Sequence, residues 1–370
     1  MAHGTDKDRL RYAVVGAGNI AQAAVLPAFA HASENSELAA IVSDNAEKRA
    51  ALGKKYGVAT AAYAELETIA DQEEVDAVYL ALPNTLHRPF TERAAAVGLH
   101  VLCEKPMAMT SDDCKAMVSA CEEAHRRLMI AYRLHFEECN LRAIEIVRSG
   151  QIGEPRFISA VFSQQVRSGD IRTQSRTGGG ALFDMGIYCI NAARFLFAAE
   201  PREVVALQVR GSEERFREVD EMTSALLRFP EDRLAQITAS QGASDVETCR
   251  VVGTEGDLRI EPAFGYAGVL KHFLTVGGKI EETSFPKRDH FAPELVYFSR
   301  CVIDGVSPAP SGREGWADVR IMEAMQQSAR TGERVSLEPY EPGARPDPSR
   351  EIRKPAVRPP RTVHAPPPNR

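Results

Sequence analysis

The chain has 370 residues, and a glycine-rich turn near its N-terminus limits its possible folds more than any other feature. Residues 16–21 read GAGNIA, directly after the β-rich run 11–15 and before an alanine-rich stretch. The first glycine permits a tight turn, the second lets the backbone approach a pyrophosphate, and Ala21 lets strand and helix pack closely. This context predicts a dinucleotide-binding turn lined by Gly16, Gly18, Asn19 and Ile20, with a purely structural glycine turn as the alternative.

Five short β-rich runs alternate with helix-compatible stretches over residues 1–130. The runs are residues 11–15, 38–42, 75–81, 100–103 and 128–131. Between them, the stretch 46–56 is rich in Ala, Lys and Leu and ends before Gly57, and Ser111 with two following aspartates suits a helix N-terminus. Such alternation predicts βαβ units and a nucleotide-binding type of parallel sheet.

Residues 131–340 are predicted to form a second α/β domain. Apolar and polar residues alternate around 157–166, 204–210, 225–229, 234–240 and 248–252. This alternation is typical of antiparallel strands with one covered face, and helical patterns near 291–304 and 315–329 complete the domain. A large sheet whose other face is open usually finds a partner, so we expect a homodimer or homotetramer.

The last thirty residues, 341–370, differ in composition from the rest of the chain. They hold nine of the 22 prolines, and seven Lys or Arg against three Asp or Glu. Such a segment cannot bury a core, so we expect a basic, disordered tail. Because the whole chain has a formal charge of -6 and this segment is at +4, the remainder is at -10, which argues against nucleic acid as a partner.

The cysteines and the apolar runs bear on compartment. Seven cysteines include no CxxC pair and no flanking histidine at zinc spacing, so we expect no metal site and reduced, buried thiols of a cytoplasmic protein. The uncharged run 12–30 has features of a secretory signal. Gly16, Gly18 and Pro27 interrupt it, however, which favours strand, turn and helix over a signal or a membrane span.

The end of the second predicted strand bears on which dinucleotide is bound. An acidic residue there would hold the ribose hydroxyls of NAD and repel the extra phosphate of NADP. If Ser43 occupies this position, its hydroxyl together with Lys48 or Arg49 favours NADP, whereas Asp44 in the same position favours NAD. We expect NADP, with NAD as the alternative.

Lys105 follows the predicted strand 100–103 within the tripeptide Glu-Lys-Pro. This position places it at the carboxyl edge of the parallel sheet, where ligands of such folds bind. Pro106 restricts the backbone of Lys105, and a cis bond there is possible; either would aim the ammonium group. A solvated surface tripeptide is the alternative interpretation.

A second group of chemically capable residues follows three glycines at 178–180. The pattern then becomes helical to about residue 197, so Asp184 and Tyr188, four residues apart, share one face. A tyrosine near a lysine ammonium can serve as a general base at neutral pH. The alternative is a core helix with a hydrogen-bonded tyrosine.

From about residue 10 to residue 337 the chain resembles the glucose-fructose oxidoreductase, inositol dehydrogenase and rhizopine-catabolism (Gfo/Idh/MocA) family. The resemblance rests on the motifs at 16–21, 82–87 (LPNTLH), 104–106 (EKP), 131–133 (AYR), 178–191 and 318–320 (DVR). Most of the family has a histidine four residues after the aspartate. Here the place is taken by Tyr188, and in this the chain resembles the glucose-fructose oxidoreductase branch of the family. The resemblance implies an N-terminal Rossmann domain and a C-terminal α/β domain with a large, mainly antiparallel open sheet, with a cleft between them.

The resemblance also implies roles for individual residues. Lys105, Asp184 and Tyr188 match the family's catalytic lysine, aspartate and acid/base. The positions that match cofactor-lining residues are Leu82, Pro83, Asn84, His87, Glu104, Lys105 and Arg133. Without the resemblance, His87 would be interpreted as a capping or core histidine. Arg172, just before the glycines, either reaches the substrate or lies in a solvated loop.

The resemblance implies reversible hydride transfer between NADP and a carbohydrate, as in an aldose dehydrogenase or a sugar reductase. Tyr188 would exchange the proton of the reacting hydroxyl, Lys105 would hold its oxygen, and Asp184 would orient the sugar. One alternative is a bifunctional glucose-fructose oxidoreductase with tightly bound NADP(H), although such enzymes tend to carry a longer N-terminal arm. An alternative from another class is a non-catalytic NAD(P)-responsive regulator.

Overall fold

The computed structural model describes residues 7–369, which form two compact units. The first unit contains the described residues up to Arg133, together with Arg288–Trp316 and Arg353–Pro367. The second contains Leu134–Lys287, Ala317–Ile352, and the last two described residues. Each unit is therefore built from three separate stretches of the chain, whereas the sequence predicts contiguous domains at 1–130 and 131–340.

A six-stranded parallel sheet forms the centre of the first unit. Its strands are β1 Leu10–Val15, β2 Ser36–Val42, β3 Ala59–Ala61, β4 Ala77–Leu80, β5 His100–Cys103 and β6 Leu128–Ile130. Their order is β3-β2-β1-β4-β5-β6, so the order reverses between β1 and β4, the place where ligands bind in sheets of this kind. The predicted parallel sheet is confirmed. It has one strand more than predicted, β3, which was missed because its three residues leave little pattern in the sequence.

Among the described residues, α-helices occur in both units. They are α1 Leu26–Ala28, α2 Ala46–Tyr56, α3 Leu66–Gln72, α4 His87–Ala96, α5 Ser111–Glu123, α6 Glu138–Arg148, α7 Ile187–Leu196, α8 Ala292–Ile303 and α9 Gly312–Thr331. Asn45 caps α2 by accepting a hydrogen bond from the backbone of Lys48 at 2.9 Å, and Gly57 follows its end with a φ of +67°. These local signals confirm the predicted helix at 46–56.

The second unit is built around a nine-stranded sheet. Its strands are β7 Pro155–Ser163, β8 Glu203–Val209, β9 Met222–Arg228, β10 Leu234–Ser240, β11 Val246–Gly253, β12 Gly256–Ile260, β13 Leu270–Val276, β14 Lys279–Phe285 and β15 Val335–Ser336. Their order is β14-β13-β12-β11-β7-β10-β9-β8-β15, and neighbouring strands are antiparallel except β7 and β10. Helix α7 packs against β7, β10 and β11. The predicted open, mainly antiparallel sheet is confirmed.

The proline-rich segment differs from the disordered tail predicted for 341–370. Its residues Arg353–Pro367, called the C-terminal strap below, belong to the first unit. The carbonyl of Lys354 accepts a backbone hydrogen bond at 3.3 Å, and Ala365 is only 6% exposed. Earlier in the segment, Arg345 donates two hydrogen bonds within the second unit, at 3.0 and 3.1 Å. Proline prevents regular helix and sheet, but the carbonyl groups still accept bonds from fixed donors, and a stiff backbone loses little entropy on docking.

Several general features bear on the expected chemistry. Among the described residues, no helix is both long and apolar enough to cross a bilayer, and no three His, Cys, Asp or Glu side chains are grouped to hold a metal ion. All seven cysteines are buried thiols. Burial raises the pKa of the Cys249 thiol to about 12, which keeps it in the unreactive thiol form.

Candidate active site

The two glycines of the turn after β1 serve different needs. At Gly16 the φ is +102°, and an added Cβ would lie 2.3 Å from the carbonyl oxygen of Ala81, so only glycine fits. At Gly18 an added Cβ would meet nothing within 4 Å. The space beside Gly18 is therefore open, as required if a pyrophosphate is to approach the backbone. The turn fits a dinucleotide on this steric criterion.

The residues after the turn form a π-helical turn, Ala21–Val25, that continues into α1. Asn19 and Ile20 lie half-buried at its start. The Asn19 side chain donates through Nδ2 to the carbonyl of Ala365 in the C-terminal strap, at 2.9 Å. Asn19, which the sequence predicts as a cofactor-lining residue, therefore also holds the strap.

The end of β2 carries the residues expected to choose the dinucleotide. Ser43 is buried directly after the strand, and the Arg49 guanidinium donates to its carbonyl. The Asp44 carboxylate instead accepts a hydrogen bond from the backbone of Tyr63 at 2.8 Å. Lys48 on α2 is half-buried, and burial lowers its pKa. The segment that follows β2 thus carries the Ser43 hydroxyl and the cationic side chains of Lys48 and Arg49. The Asp44 carboxylate is instead bound to the backbone of Tyr63.

His87, at the start of α4, ties together two loops at the carboxyl edge of the parallel sheet. The ring is fully buried; its Nδ1 lies 2.9 Å from the carbonyl of Pro106, and its Nε2 lies 3.0 Å from the carbonyl of Leu82. Burial lowers the pKa of His87, and its hydrogen bonds to these carbonyls act in the opposite direction. His87 therefore holds the loop of Leu82, Pro83 and Asn84 next to the loop that follows β5.

Lys105 follows β5 at the same edge of the sheet, and its peptide bond to Pro106 is cis. The carboxylate of the preceding residue, Glu104, is buried; it accepts hydrogen bonds from the Tyr79 hydroxyl at 2.8 Å and from the backbone of Lys105 at 3.3 Å. Burial raises the pKa of Glu104, and the nearby charges of Lys105 and Arg133 act in the opposite direction. Glu104 thus helps to fix the backbone from which the Lys105 side chain extends.

Glu294 on α8 is a residue that sequence reasoning missed. It is fully buried, and neither of its carboxylate oxygens has a hydrogen-bond partner among the described residues. Burial, together with the charge of Glu104, raises the pKa of Glu294 well above its usual range, while Arg133 acts to lower it. Arg133 is itself buried, with Nη1 3.1 Å from Nδ1 of His290. No local signal identifies Glu294, because its electrostatic partners are far away in the sequence.

In the second unit, Asp184 lies in a π-helical turn, Leu182–Gly186, that leads into α7. Its carboxylate accepts a hydrogen bond from Nε of Arg172 at 2.9 Å, and Nη1 of Arg172 lies 3.2 Å from Asp170. Burial lowers the pKa of Arg172, but the two carboxylates together raise it above its usual value. Arg172 is therefore paired with Asp184, and the alternative of a solvated loop residue does not describe it.

Tyr188 lies four residues after Asp184, on α7. Its ring is half-buried and packs against Phe162 and Phe264, with ring centroids 5.5 and 5.9 Å away. Two aromatic neighbours of this kind restrict the ring, as needed for a phenolic group that acts at a defined place. Asp184 and Tyr188 are thus positioned by one helical segment, as the sequence predicts.

A buried polar network fixes the far end of α7. Arg194 donates from Nη1, and Asn191 from Nδ2, to the two carboxylate oxygens of Asp318, each at 2.8 Å. The side chains of Arg194 and Asp318 are 2% and 0% exposed. Arg194 also pairs with Glu200, and Asn191 bonds to the ring of His135 at 2.8 Å. This network anchors the helix that carries Tyr188.

The predicted site residues thus fall into two groups, one in each unit. Within the first unit, the glycine turn, the strand end at Ser43 and the loop of Lys105 all lie at the carboxyl edge of one parallel sheet. Within the second, Arg172 contacts Asp184, and Tyr188 follows on the same helical segment.

Comparison with known families gives two matches along the chain. Residues 10–132 match a family described as an oxidoreductase family with an NAD-binding Rossmann fold. Residues 140–259 match the GFO/IDH/MocA C-terminal domain.

Individual relatives match over most of their length. A D-xylose 1-dehydrogenase of the NADP(+) type from Haloarcula marismortui is 33% identical over 342 residues, covering 89% of this chain and 93% of its own. Among solved structures, an aldose-aldose oxidoreductase from Caulobacter crescentus complexed with glycerol has a TM-score of 0.85 at 38% identity, covering 89% of this chain and 100% of its own. A 3-ketoreductase from Actinomadura kijaniata in complex with NADP and TDP-benzene has a TM-score of 0.79 at 26% identity, covering 86% of this chain and 98% of its own.

Proposed function

We propose that this chain, which belongs to the Gfo/Idh/MocA family of oxidoreductases, transfers a hydride between NADP(H) and a sugar or a sugar-derived carbonyl or alcohol. The predictions of the family, of the α/β fold class and of an oxidoreductase are confirmed by the family matches and the relatives. The observation that carries the substrate side is the Arg172–Asp184 ion pair, which lies one helical turn before Tyr188. The named activities of the relatives, on D-xylose and on aldoses, support a carbohydrate substrate.

The strand end after β2 supports NADP as the cofactor. Ser43 with Lys48 and Arg49 offers a hydroxyl and two cations to a ribose phosphate, and Asp44 is held by the backbone of Tyr63. The relatives named for NADP agree with this choice. A carboxylate at position 43 would repel the phosphate, so Ser43→Asp should lower kcat/KM with NADP at least tenfold, whereas Asp44→Ser should not. Higher kcat/KM of the unmodified protein with NAD than with NADP would contradict this assignment.

The residues of the site have separable roles in the proposed reaction. When bound, NADP supplies the nicotinamide that accepts or returns the hydride. Tyr188 takes the proton from the reacting hydroxyl, or returns it, through its phenolic oxygen. The Lys105 ammonium donates a hydrogen bond to the same substrate oxygen and stabilises negative charge on it. Asp184, held by Arg172, accepts hydrogen bonds from sugar hydroxyls and so orients the substrate.

Two substitutions test these roles directly. Lys105→Met and Tyr188→Phe should each lower kcat about 100-fold or more, because each removes a group that acts on the reacting oxygen. Binding of NADPH, measured by fluorescence titration, should change little. Lys115→Met, at an exposed position, and Tyr56→Phe, at a half-buried one, are matched controls in the first unit. Both should keep wild-type turnover.

The assay follows NADP reduction with a panel of pentoses, hexoses and polyols. Near-normal kcat in Lys105→Met or Tyr188→Phe would refute the roles assigned to these two residues. Failure of every sugar and polyol to reduce NADP or NAD, whether added in solution or already bound to the protein, would refute the proposed substrate class.

A bifunctional enzyme that oxidises one sugar and reduces another on a retained cofactor is the second candidate function. The structural relative named as an aldose-aldose oxidoreductase favours it. The two functions differ in whether nucleotide stays with the protein through dialysis. The named relatives are oxidoreductases and give no support to the non-catalytic regulator considered from the sequence.

We also propose that the chain forms a homo-oligomer through the open face of the nine-stranded sheet. On this face Val205 pairs across strands with Leu226, and Val209 with Met222, and all four are exposed, as is Leu207 at 71%. A second copy would cover this apolar surface. Leu207→Lys should therefore shift the mass measured by light scattering toward the monomer, while Val306→Lys, in the first unit, should not. An unchanged mass in Leu207→Lys would contradict this interface.

A cytoplasmic location is the compartment we propose. Seven buried thiols support it, since secreted proteins commonly pair their cysteines in disulfides. Fractionation of cells that produce the protein should recover it with the cytoplasmic fraction, and recovery outside the cell would contradict the proposal.

A further inference from the structure

The C-terminal strap, Arg353–Pro367, is bound by a side chain that also fixes the glycine-rich turn. Gln22 is 1% exposed, and its Nε2 donates both to the carbonyl of Ala17, at 2.9 Å, and to the carbonyl of Val363, at 3.0 Å. Its Oε1 accepts a hydrogen bond from the backbone N–H of Val363 at 2.7 Å. The buried Gln22 amide therefore links the strap to the turn, because it bonds to both the C=O and the N–H of Val363.

Three consecutive strap residues, 363–365, called the clasp here, each bind a different part of the first unit. Next to Val363, His364 places Nε2 2.8 Å from the carboxylate of Glu47 on α2. The Ala365 carbonyl accepts the hydrogen bond from Asn19 at 2.9 Å. The clasp thus reaches from the helical segment that follows β1 to the helix that follows β2. These are the segments that carry the candidate phosphate-binding and ribose-binding residues.

The clasp leaves the turn itself open. A Cβ added at Gly18 would meet no atom within 4 Å, those of the strap included. Strap and pyrophosphate therefore do not compete for this space. The strap also carries four Lys or Arg and no Asp or Glu, a charge that suits a phosphate-rich ligand.

We propose that the clasp retains NADP(H) in the first unit, by holding the glycine-rich turn and the start of α2 in place, so that bound nucleotide leaves the protein slowly. This inference rests on the proposed function. In the second candidate function, such retention lets one sugar reduce the bound cofactor and another reoxidise it, and this exchange balances without a further reagent. One aldose loses a hydride from C1 and the hydroxyl proton and becomes a lactone, and the other gains a hydride at its carbonyl carbon and a proton at its oxygen and becomes a polyol.

The test measures nucleotide retention in the full-length protein. Val363→Pro removes the N–H that donates to Gln22, and a variant that ends at Pro360 removes the whole clasp. After dialysis, wild-type protein should keep a stoichiometric amount of NADP(H), released by heat and quantified. Both variants should release NADPH at least tenfold faster than wild type when mixed with excess NADP. Ala356→Pro, an exposed strap position outside the clasp, is the matched control and should release NADPH at the wild-type rate.

Three results would overturn the proposal: release at the wild-type rate by both variants, wild-type protein that holds no nucleotide, or tighter NADPH binding by the variants. The last would make the strap a competitor of the cofactor. A thermal melt shows whether Val363→Pro is folded, and the shortened variant gives an independent answer.

Failure of the proposed function has a different signature. Variants that lose nucleotide but still reduce added NADP with a sugar support both the clasp and the proposed function. Protein that retains NADP(H) through the clasp but oxidises no sugar would refute the proposed function and leave retention by the clasp standing.

Discussion

Asp318 tests how firmly the second unit holds the helix that carries Tyr188. Asp318→Ala removes the carboxylate that accepts hydrogen bonds from Arg194 and Asn191, each at 2.8 Å. Breaking a buried ion pair by removing one partner costs about 3–5 kcal/mol, because the remaining charge stays buried. Arg194 keeps its second carboxylate partner, Glu200, so we expect the lower end of this range.

For a unit of about 150–250 residues, a loss of about 3 kcal/mol lowers Tm by roughly 6–12 °C. Differential scanning calorimetry and far-ultraviolet circular dichroism measure this change. Asp318→Asn keeps the volume and one acceptor oxygen, so its Tm should lie between those of wild type and Asp318→Ala. Asp112→Ala is the control: Asp112 is 89% exposed in its pair with Lys115, and its loss should shift Tm very little. A Tm of Asp318→Ala within about 2 °C of wild type would refute the reasoning.

Two further predictions concern the first unit. Burial raises the pKa of Glu294 above its unfolded value of 4.5, so the folded chain keeps a proton that the unfolded chain loses, and stability falls as pH rises from about 4.5 through the raised pKa. The free energy of unfolding of Glu294→Gln, measured with urea, should therefore match that of wild type near pH 4. At pH 8 it should exceed the wild-type value by about 1.4 kcal/mol for each unit by which the fold raises the pKa of Glu294. Parallel pH profiles of the two proteins would contradict this. Gly16→Ala should destabilise the fold because its Cβ would lie 2.3 Å from a carbonyl oxygen, whereas Gly18→Ala should fold normally but weaken NADPH binding at least tenfold in a fluorescence titration. Equal NADPH affinity in Gly18→Ala and wild type would show that the open space does not receive the cofactor.

Short-range signals explain which parts of the fold the sequence predicts. Helix α2 has its N-cap, Asn45, and its glycine terminator within one short window, so its bounds are readable without tertiary context. Strand β14 was not predicted because six of its seven residues are exposed and show no alternation. Residues 341–370, which include the strap, were expected to be disordered because their nine prolines exclude helix and sheet, yet the strap is held by hydrogen-bond donors in distant segments.

The same limit applies to the candidate site. Gly16, Lys105 and Tyr188 occur in local motifs whose chemistry can be recognised from neighbouring residues. The bond between Gln22 and Val363 joins residues 341 positions apart, and no pattern around either one indicates it. Glu294 is similar, since an acid in an amphipathic helix looks exposed until the residues that bury it are known.

The division of each unit into separate stretches has a consequence for biosynthesis. The first unit contains β1 and also Arg353–Pro367, which are translated much later. On the ribosome, β1 and its glycine turn can form early, but Gln22 has no Val363 to bind until residue 363 has been translated. Chains interrupted before residue 363 would therefore contain a nucleotide turn without its clasp, and retention of NADP(H) would begin only once residues 363–365 have been translated.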